Sequence, residues 1–433
     1  MATDPPGGLR CGTLPLTPMT APPPSDASAS PAAPTGAART ATIGTLFLTV
    51  FIDLLGFGLV IPFIPAMARR LGAGDFVATM PGAVYSVMQF LFIPIWGRLS
   101  DRIGRRPVLL WSIGATAAGM ALLGLSPSLL LLLAARAFSR IATANIAVAQ
   151  AYVADVTPPE HRARGMGIIG IAFGLGFILG PFIGGELSRF PLLGREGTLP
   201  CFAAAGLATI NFLLALRTLP ESLPPALRGK SVRRAVPLDI AALRAAVAVP
   251  GIGAAVAVNF AMVLWFAGME QTFALFTADG FGMSVAGTGH IFAIVGIVGV
   301  IVQGGVVRRL APRVGEARLV HAGLAIQAAA FALLGLSPSF AAWGKVALYA
   351  SAGLISLGNG LTTPSLPAYA SRRATPATQG LTLGALQAAA ALARGAGPLV
   401  GGALYAAIAP RAPYLIGAAG LLAAALLALV RLR

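Results

Sequence analysis

Long apolar stretches separated by short polar segments recur along almost the whole chain. Most are at least about 20 residues long, the length that an α-helix needs to cross a bilayer. The pattern predicts twelve transmembrane helices, at 43–68, 80–98, 107–125, 128–154, 164–187, 199–218, 246–276, 285–307, 318–337, 342–370, 380–408 and 413–431. Prolines inside these spans should bend the helices, among them Pro62, Pro81, Pro94, Pro250 and Pro364.

The polar segments alternate in charge along the chain. Those that contain Arg102, Arg162, Arg308 and Arg372 are basic, whereas the turn 126–128 carries no cation. Because Lys and Arg are enriched in cytoplasmic loops, we expect the basic segments to lie on the cytoplasmic side of the membrane. Twelve spans then put both termini in the cytoplasm of a multi-pass protein of the cell inner membrane.

Composition narrows the possible classes of protein. The chain is 57% hydrophobic and 10% charged, which excludes a soluble domain. The net charge of +17 is accounted for by the basic loops, and no aromatic and basic pattern indicates a nucleic-acid partner. The two cysteines and three histidines are scattered, so we expect neither a metal site nor an enzyme. We expect a monomer without cofactors in the lipid bilayer.

The chain divides into four predicted regions. Residues 1–42 are rich in Pro, Ala, Ser, Thr and Gly, which predicts a disordered cytoplasmic tail. The longest connection, 219–245, is expected to be a cytoplasmic linker. It separates a six-helix bundle at 43–218 from a second one at 246–433.

Two motifs occur once in each bundle. Arg98-Leu99, Arg102, Ile103 and Gly104 recur as Arg309-Leu310, Arg313, Val314 and Gly315, 211 positions on (309 − 98). Gly180-Pro181 with Gly184-Gly185 recurs as Gly397-Pro398 with Gly401-Gly402, 217 positions on (397 − 180). Duplicated six-helix halves are typical of secondary transporters, whose substrate site lies near midplane between the halves.

Two acids fall well inside predicted spans. Asp53 lies about ten residues into the first span, near the bilayer midplane at 1.5 Å per residue. Glu270 lies in the seventh span, and Arg394 in the eleventh is a possible counter-charge. A carboxylate in the membrane is costly unless it is paired or protonated, so both acids predict proton coupling. The alternatives are a helix-packing hydrogen bond for Asp53, and a cation-binding or interfacial position for Glu270.

The charged stretch 97–107 and the first-span run 53–62 resemble the major facilitator superfamily, in particular the twelve-span drug:proton antiporters of the tetracycline-resistance type. The resemblance covers about residues 43–431. It implies an all-α polytopic fold with two six-helix repeats. It also implies proton-coupled export of small amphiphilic molecules such as drugs, with tetracycline-like compounds among them. An uptake symporter that moves a sugar or organic acid with protons is the alternative.

The resemblance implies roles for four residues of a charge relay. In that family the position of Gly97 permits close helix approach, and the position of Asp101 contacts a helix N-terminus of the other half. Arg105 holds that carboxylate, and Asp155 is the third charged member. We expect Asp101 to contact the cytoplasmic end of the eleventh span.

The fourth and fifth spans carry two further resemblances. Arg136 matches an arginine associated with proton transfer, but Arg140 stands where relatives usually have glycine. A second arginine one turn along the same face favours anionic or polar substrates. The fifth-span motif associated with export comprises Gly167, Gly176, Gly180, Pro181, Gly184 and Gly185. A mixed apolar and polar substrate cavity is predicted from Arg140, Asn145, Asn259, Trp265, Gln271 and Asn359.

Overall fold

The computed structural model describes residues 36–142, 145–157, 162–195, 197–229, 248–375 and 378–432. Within these ranges, side chains are described except at 36–43, 145, 146, 162–170, 173, 177 and 227. The first half, up to residue 229, contains α1 Gly36–Val60, α2 Ile64–Arg70, α3 Asp75–Ile103, α4 Arg105–Leu125, α5 Leu129–Ile141, α6 Asn145–Val156, α7 Arg162–Leu187 and α8 Thr198–Thr218. The second half contains α9 Ile252–Phe281, α10 Val285–Ile301, α11 Val307–Val314, α12 Glu316–Leu336, α13 Gly344–Arg373, α14 Gln379–Ala407 and α15 Ala412–Arg431.

The predicted all-α fold is confirmed, because the described residues form helices and no strand. Among them, eight helical stretches are long and apolar enough to cross a membrane, and one of these, Glu316–Arg373, contains both α12 and α13. Large apolar side chains such as Leu130 and Trp111 are 79% and 59% exposed. Such surfaces suit lipid and not water. The number of twelve crossings stays a prediction.

Several span boundaries differ from the prediction for local reasons. Pro62 lies in a 3₁₀ turn, Ile61–Phe63, that separates α1 from α2. The predicted fourth span is two helices, α5 and α6, with residues 143 and 144 outside the described part. Pro250 lies outside a helix, because α9 begins only at Ile252 after Gly251, whose φ is +86°. A left-handed glycine after a proline prevents the helix from extending toward its N-terminus.

Glycines bring helices of the same half into close contact. A Cβ on Gly180 of α7 would lie 2.6 Å from the Cα of Gly58 in α1. A Cβ on Gly401 of α14 would lie 2.8 Å from the Cα of Gly268 in α9. The two Gly-Pro-x-x-Gly-Gly motifs therefore make the same packing in both halves, as small residues at helix crossings allow.

The other face of each motif meets the opposite half. A Cβ on Gly185 would lie 3.2 Å from the Cα of Ala286 in α10. At the second motif, Thr79 Oγ1 of α3 in the first half donates a hydrogen bond to the Pro398 carbonyl of α14 at 3.1 Å. The two halves therefore join along α7 with α10 and along α3 with α14.

Within the described part of the chain, the charged contacts between the halves lie at one end of the molecule, which we call the Arg69 end. The Arg69 guanidinium of α2 donates two hydrogen bonds to Asp279 of α9, at 2.7 and 2.8 Å. His290 Nε2 of α10 lies 2.7 Å from Glu186 Oε1 of α7. The opposite end carries the turn between α3 and α4, and we call it the Arg105 end.

Candidate functional site

Arg105 is the centre of the predicted relay and the first residue of α4. Its guanidinium pairs with Asp101 at 2.5 Å and with Asp155 at 3.1 Å, and it donates to Ser100 Oγ at 2.6 Å. Arg105 is 8% exposed. A guanidinium with donors in a rigid fork suits two carboxylates at once. The structure thus brings Asp101, Arg105 and Asp155 into one cluster.

Two expectations for this relay are not met in this structure. None of the contacts that Asp101 makes with described residues reaches α14: its carboxylate pairs with Arg105, and its carbonyl accepts from the Gly229 amide at 3.1 Å. A Cβ on Gly97 would meet no atom of a described residue within 4 Å, so none of the described helices packs closely there. The reason is that the closest contacts of the halves lie toward the other end of the molecule.

Glu221 belongs to the relay, although it lies in the predicted linker, 219–245. Its carboxylate accepts hydrogen bonds from the Arg105 and Arg106 backbone amides, at 2.8 and 3.3 Å. These amides are unpaired donors of the first turn of α4, where a negative charge also suits the helix dipole. Ser222 Oγ adds a hydrogen bond to Asp155 Oδ2 at 3.1 Å. An acid directly after a span, facing basic residues, was the available signal.

The second half contains a matching pair with the charges reversed. Glu316 is the first residue of α12, 211 positions after Arg105 (316 − 105), and Arg372 lies 217 positions after Asp155 (372 − 155). Their side chains pair at 2.6 Å. The second half therefore has an ion pair at the positions that match Arg105 and Asp155, but the acidic and basic residues have exchanged places.

Asp53 lies beside a group of aromatic and basic side chains in the middle of the first half. It is 9% exposed, and its charge acts on the Arg140 guanidinium. The guanidinium carbons of Arg136 and Arg140 lie 4.4 and 3.8 Å from the centre of the Tyr85 ring. Phe57 stacks on that ring at 4.9 Å. The helices α1, α3 and α5 therefore assemble Asp53, Arg136 and Arg140 into one cluster.

Glu270 lies in the second half, apart from this cluster. It lines an apolar cavity of about 70 Å³ together with Phe266, Phe273 and Phe292. Its charge interacts with Arg394 of α14. The cavity can therefore offer one carboxylate within an otherwise apolar lining.

The remaining predicted cavity residues have varied environments. Asn259 Nδ2 donates to the Leu386 carbonyl at 2.8 Å, and Asn359 Oδ1 accepts from Thr363 Oγ1 at 3.1 Å. Both amides thus bond within or between helices of the second half. Gln271 packs against Gly82 of α3, across the two halves.

Two further members of the predicted cavity are not placed in it by the structure. The Trp265 indole packs against Gly417 and Gly420 of α15 instead. The Asn145 side chain lies outside the described residues.

The export motif of α7 forms a packing surface. Gly176, Gly180 and Gly184 face α1, and Gly185 with Pro181 faces α10. A Cβ on Gly289 would lie 2.5 Å from the Pro181 carbonyl. Gly167 lies in the stretch of α7, 162–170, whose side-chain surroundings are not described. Among the described residues, no group of three or more His, Cys, Asp or Glu side chains could hold a metal ion.

Comparisons with known proteins agree with this architecture. The family model of the Major Facilitator Superfamily matches residues 46–344 and 307–433. The class C tetracycline resistance protein of Escherichia coli is 36% identical over 366 residues, covering 83% of this chain and 88% of that protein. Human major facilitator superfamily domain-containing protein 10 is 31% identical over 411 residues, covering 84% and 87%.

A crystal structure of the human organic anion transporter MFSD10 has a TM-score of 0.65 and 28% identity, covering 90% of this chain and 99% of that one. The nucleoside transporter NupG superposes with a TM-score of 0.72 at 16% identity, covering 90% and 99%, which supports the fold. The relatives are transporters of small molecules and not enzymes. The chain is therefore a multi-pass membrane transporter that belongs to the Major Facilitator Superfamily.

Proposed function

We propose that this transporter exports small amphiphilic molecules in exchange for protons, with tetracycline-like compounds among its substrates. The observation that carries the proposal is the packing of the α7 glycines on α1 within the same stretch that contains Asp53. A tight helix contact there limits proton leak past the acid. The similarity to a tetracycline resistance protein supports the substrate class.

Three charged residues are the proposed proton-coupling groups: Asp53, Arg136 and Glu270. Asp53 is buried beside Arg140, so its charge depends on that neighbour. Glu270 lies in an apolar cavity, where a neutral carboxyl is favoured over a charged one. Binding and release of a proton at either acid would change the free energy of the surrounding cluster.

Alternating access is the proposed transport cycle. The contacts of Arg69 with Asp279 and of Glu186 with His290 hold the halves together at the Arg69 end. In the other state these contacts open, and Asp101 then contacts the start of α14 at the Arg105 end. Because the basic loops favour the cytoplasm, the Arg105 end and both termini are proposed to lie inside the cell, with the protein a monomer in the inner membrane.

The alternative is a proton symporter that takes up a sugar or an organic acid. The two arginines beside Asp53 favour it for acids, as does the similarity to a human organic anion transporter. The two mechanisms move protons in opposite directions relative to the substrate. They can therefore be separated by the sign of a pH change.

The experiment uses the full chain in proteoliposomes loaded with tetracycline, with the membrane potential clamped to zero and a pH dye in the lumen. Antiport brings protons in as the drug leaves, so the lumen acidifies. Symport takes protons out, and the lumen becomes alkaline. Asp53→Asn should abolish the pH signal, and drug-driven proton flux that survives this substitution would exclude the role of Asp53.

A further inference from the structure

Arg136 and Arg140 lie one helical turn apart on α5, and both guanidiniums face the Tyr85 ring. Arg140 also lies over Phe57, 5.4 Å from the ring centre. Two like charges this close repel each other, and an aromatic ring offsets only part of that cost. The cluster therefore concentrates two positive charges beside the Tyr85 ring.

Three nitrogens of this pair are buried and have no hydrogen-bond partner among the described residues. They are Nε and Nη1 of Arg136 and Nε of Arg140. Arg136 is only 3% exposed. A buried donor without a partner is costly, and a charged donor more so, so such groups in native proteins usually have an acceptor. The donors thus favour a ligand that supplies acceptor oxygens.

The charges of the cluster do not cancel. Asp53 is the carboxylate whose charge interacts with the Arg140 guanidinium. Among the described residues, two guanidiniums and one carboxylate leave one positive charge in a buried site. A ligand with one negative charge would balance it.

We propose that Arg136, Arg140 and Tyr85 form a binding subsite for the carboxylate or enolate of an aromatic organic anion. The guanidinium nitrogens donate to the anionic oxygens, since the planar fork of arginine matches a carboxylate. Phe57 and Tyr85 provide the apolar surface for the ring system. The inference rests on the proposed function only in that the chain transports small molecules.

The position of Asp53 adds a consequence for coupling. Asp53 and the ligand both place a negative charge beside Arg140, so they compete for it. Neutralising Asp53 therefore strengthens binding of the anion. When the ligand is an anion, protonation of Asp53 and binding of the ligand therefore strengthen each other. This coupling is that of the symport alternative and not that of the proposed antiport.

The test measures binding to the purified full chain in detergent by calorimetry. The probes are 2-naphthoate and its neutral isostere 2-naphthamide. We expect naphthoate to bind more tightly than naphthamide. Arg140→Gln should weaken naphthoate about 10- to 100-fold, as for one lost charge-assisted hydrogen bond, and should leave naphthamide unchanged. Asp53→Asn should strengthen naphthoate about fivefold or more.

Arg217→Gln is the matched control, because it removes one positive charge from the exposed end of α8 in the same half. It should leave the naphthoate affinity within about twofold. If Arg140→Gln does not fold, Arg140→Lys makes the same comparison, with an intermediate loss confined to naphthoate.

Three results would overturn the inference: equal affinity for the two probes, an equal loss for both in the Arg140 variant, or no binding of naphthoate to the wild-type chain. All of these measurements are of binding in detergent, so they do not depend on whether the chain transports the ligand. A chain that binds naphthoate as expected but moves no protons in proteoliposomes would contradict the proposed function alone.

Discussion

Arg69 and Asp279 form a two-point contact across the halves, with both terminal nitrogens of the guanidinium on both oxygens of the carboxylate. The residues are 210 positions apart in the chain. Asp75 also pairs with Arg69, at 2.7 Å, and Tyr405 Oη donates to Asp279 Oδ2 at 2.6 Å. The contact therefore ties α2 and α3 of the first half to α9 and α14 of the second.

Arg69→Gln should favour opening of the Arg69 end. Because the side chains of Arg69 and Asp279 are 26% and 36% exposed, the ion pair contributes only about 1 kcal/mol after solvent screening. That corresponds to about a fivefold change in the ratio of the two states. Distances between spin labels on the α2–α3 and α9–α10 turns measure it. Arg69→Lys, which keeps the positive charge, should retain much of the wild-type distribution, and an unchanged distribution in Arg69→Gln would contradict the assigned role.

Gly180→Ala should separate α7 from α1. The added Cβ would lie 2.6 Å from the Gly58 Cα, so we expect a loss of about 1–3 kcal/mol in the free energy of unfolding and a loss of transport. Gly206→Ala is the matched control, since a Cβ at Gly206 meets no atom within 4 Å. Thermal unfolding in detergent measures both. Equal melting temperatures for the two variants would argue against the close packing.

Asp101→Asn should abolish transport and leave ligand binding unchanged. The reason is that Asp101 pairs with Arg105 at the Arg105 end, away from Asp53 and Glu270. The measurement compares drug-driven proton flux in proteoliposomes with drug affinity in detergent. Asp101→Glu keeps the charge and should retain part of the flux. An equal loss of affinity would mean that the relay shapes the binding site itself.

The pair of Arg105 with Asp155 and the charge-reversed pair of Glu316 with Arg372 should differ in their contribution to stability. Arg105→Gln leaves Asp101 and Asp155 without their shared cation, so we expect a loss of about 2 kcal/mol. Glu316→Gln should cost less than about 1 kcal/mol, because the Arg372 side chain is 74% exposed. Chemical denaturation of both variants provides the comparison. A larger effect in Glu316→Gln would contradict the asymmetry.

Glu221→Ala should destabilise the first turn of α4. Its carboxylate accepts from two backbone amides there, and loss of such a cap costs about 1 kcal/mol. Glu221→Gln, which keeps the acceptor oxygen but loses the charge, should cost less. Hydrogen exchange at the amides of Arg105 and Arg106 reports on the cap directly. Unchanged exchange in Glu221→Ala would exclude it.

Much of the relay could be predicted because its members belong to recognisable local motifs. Asp101 and Arg105 are four positions apart at a short loop, and Asp155 directly follows the predicted fourth span, 128–154. The role of Glu221 could not be assigned from its position after a span alone, because its partners are backbone amides, which have no sequence signature. The environment of Trp265 could not be predicted either, because an aromatic residue in a span suits a cavity, the lipid and a helix contact equally well.

The sequence by itself determined the membrane class, the all-α fold, the repeat and the residues that carry charge within the spans. These follow from apolar length, charge bias and recurring motifs, which are local properties of the chain. Only the tertiary structure decided which helices the glycines join, that Arg69 meets Asp279, and that Arg136 and Arg140 share the Tyr85 ring. Contacts between residues far apart in the chain depend on the packing of whole helices, and hydropathy does not specify that packing.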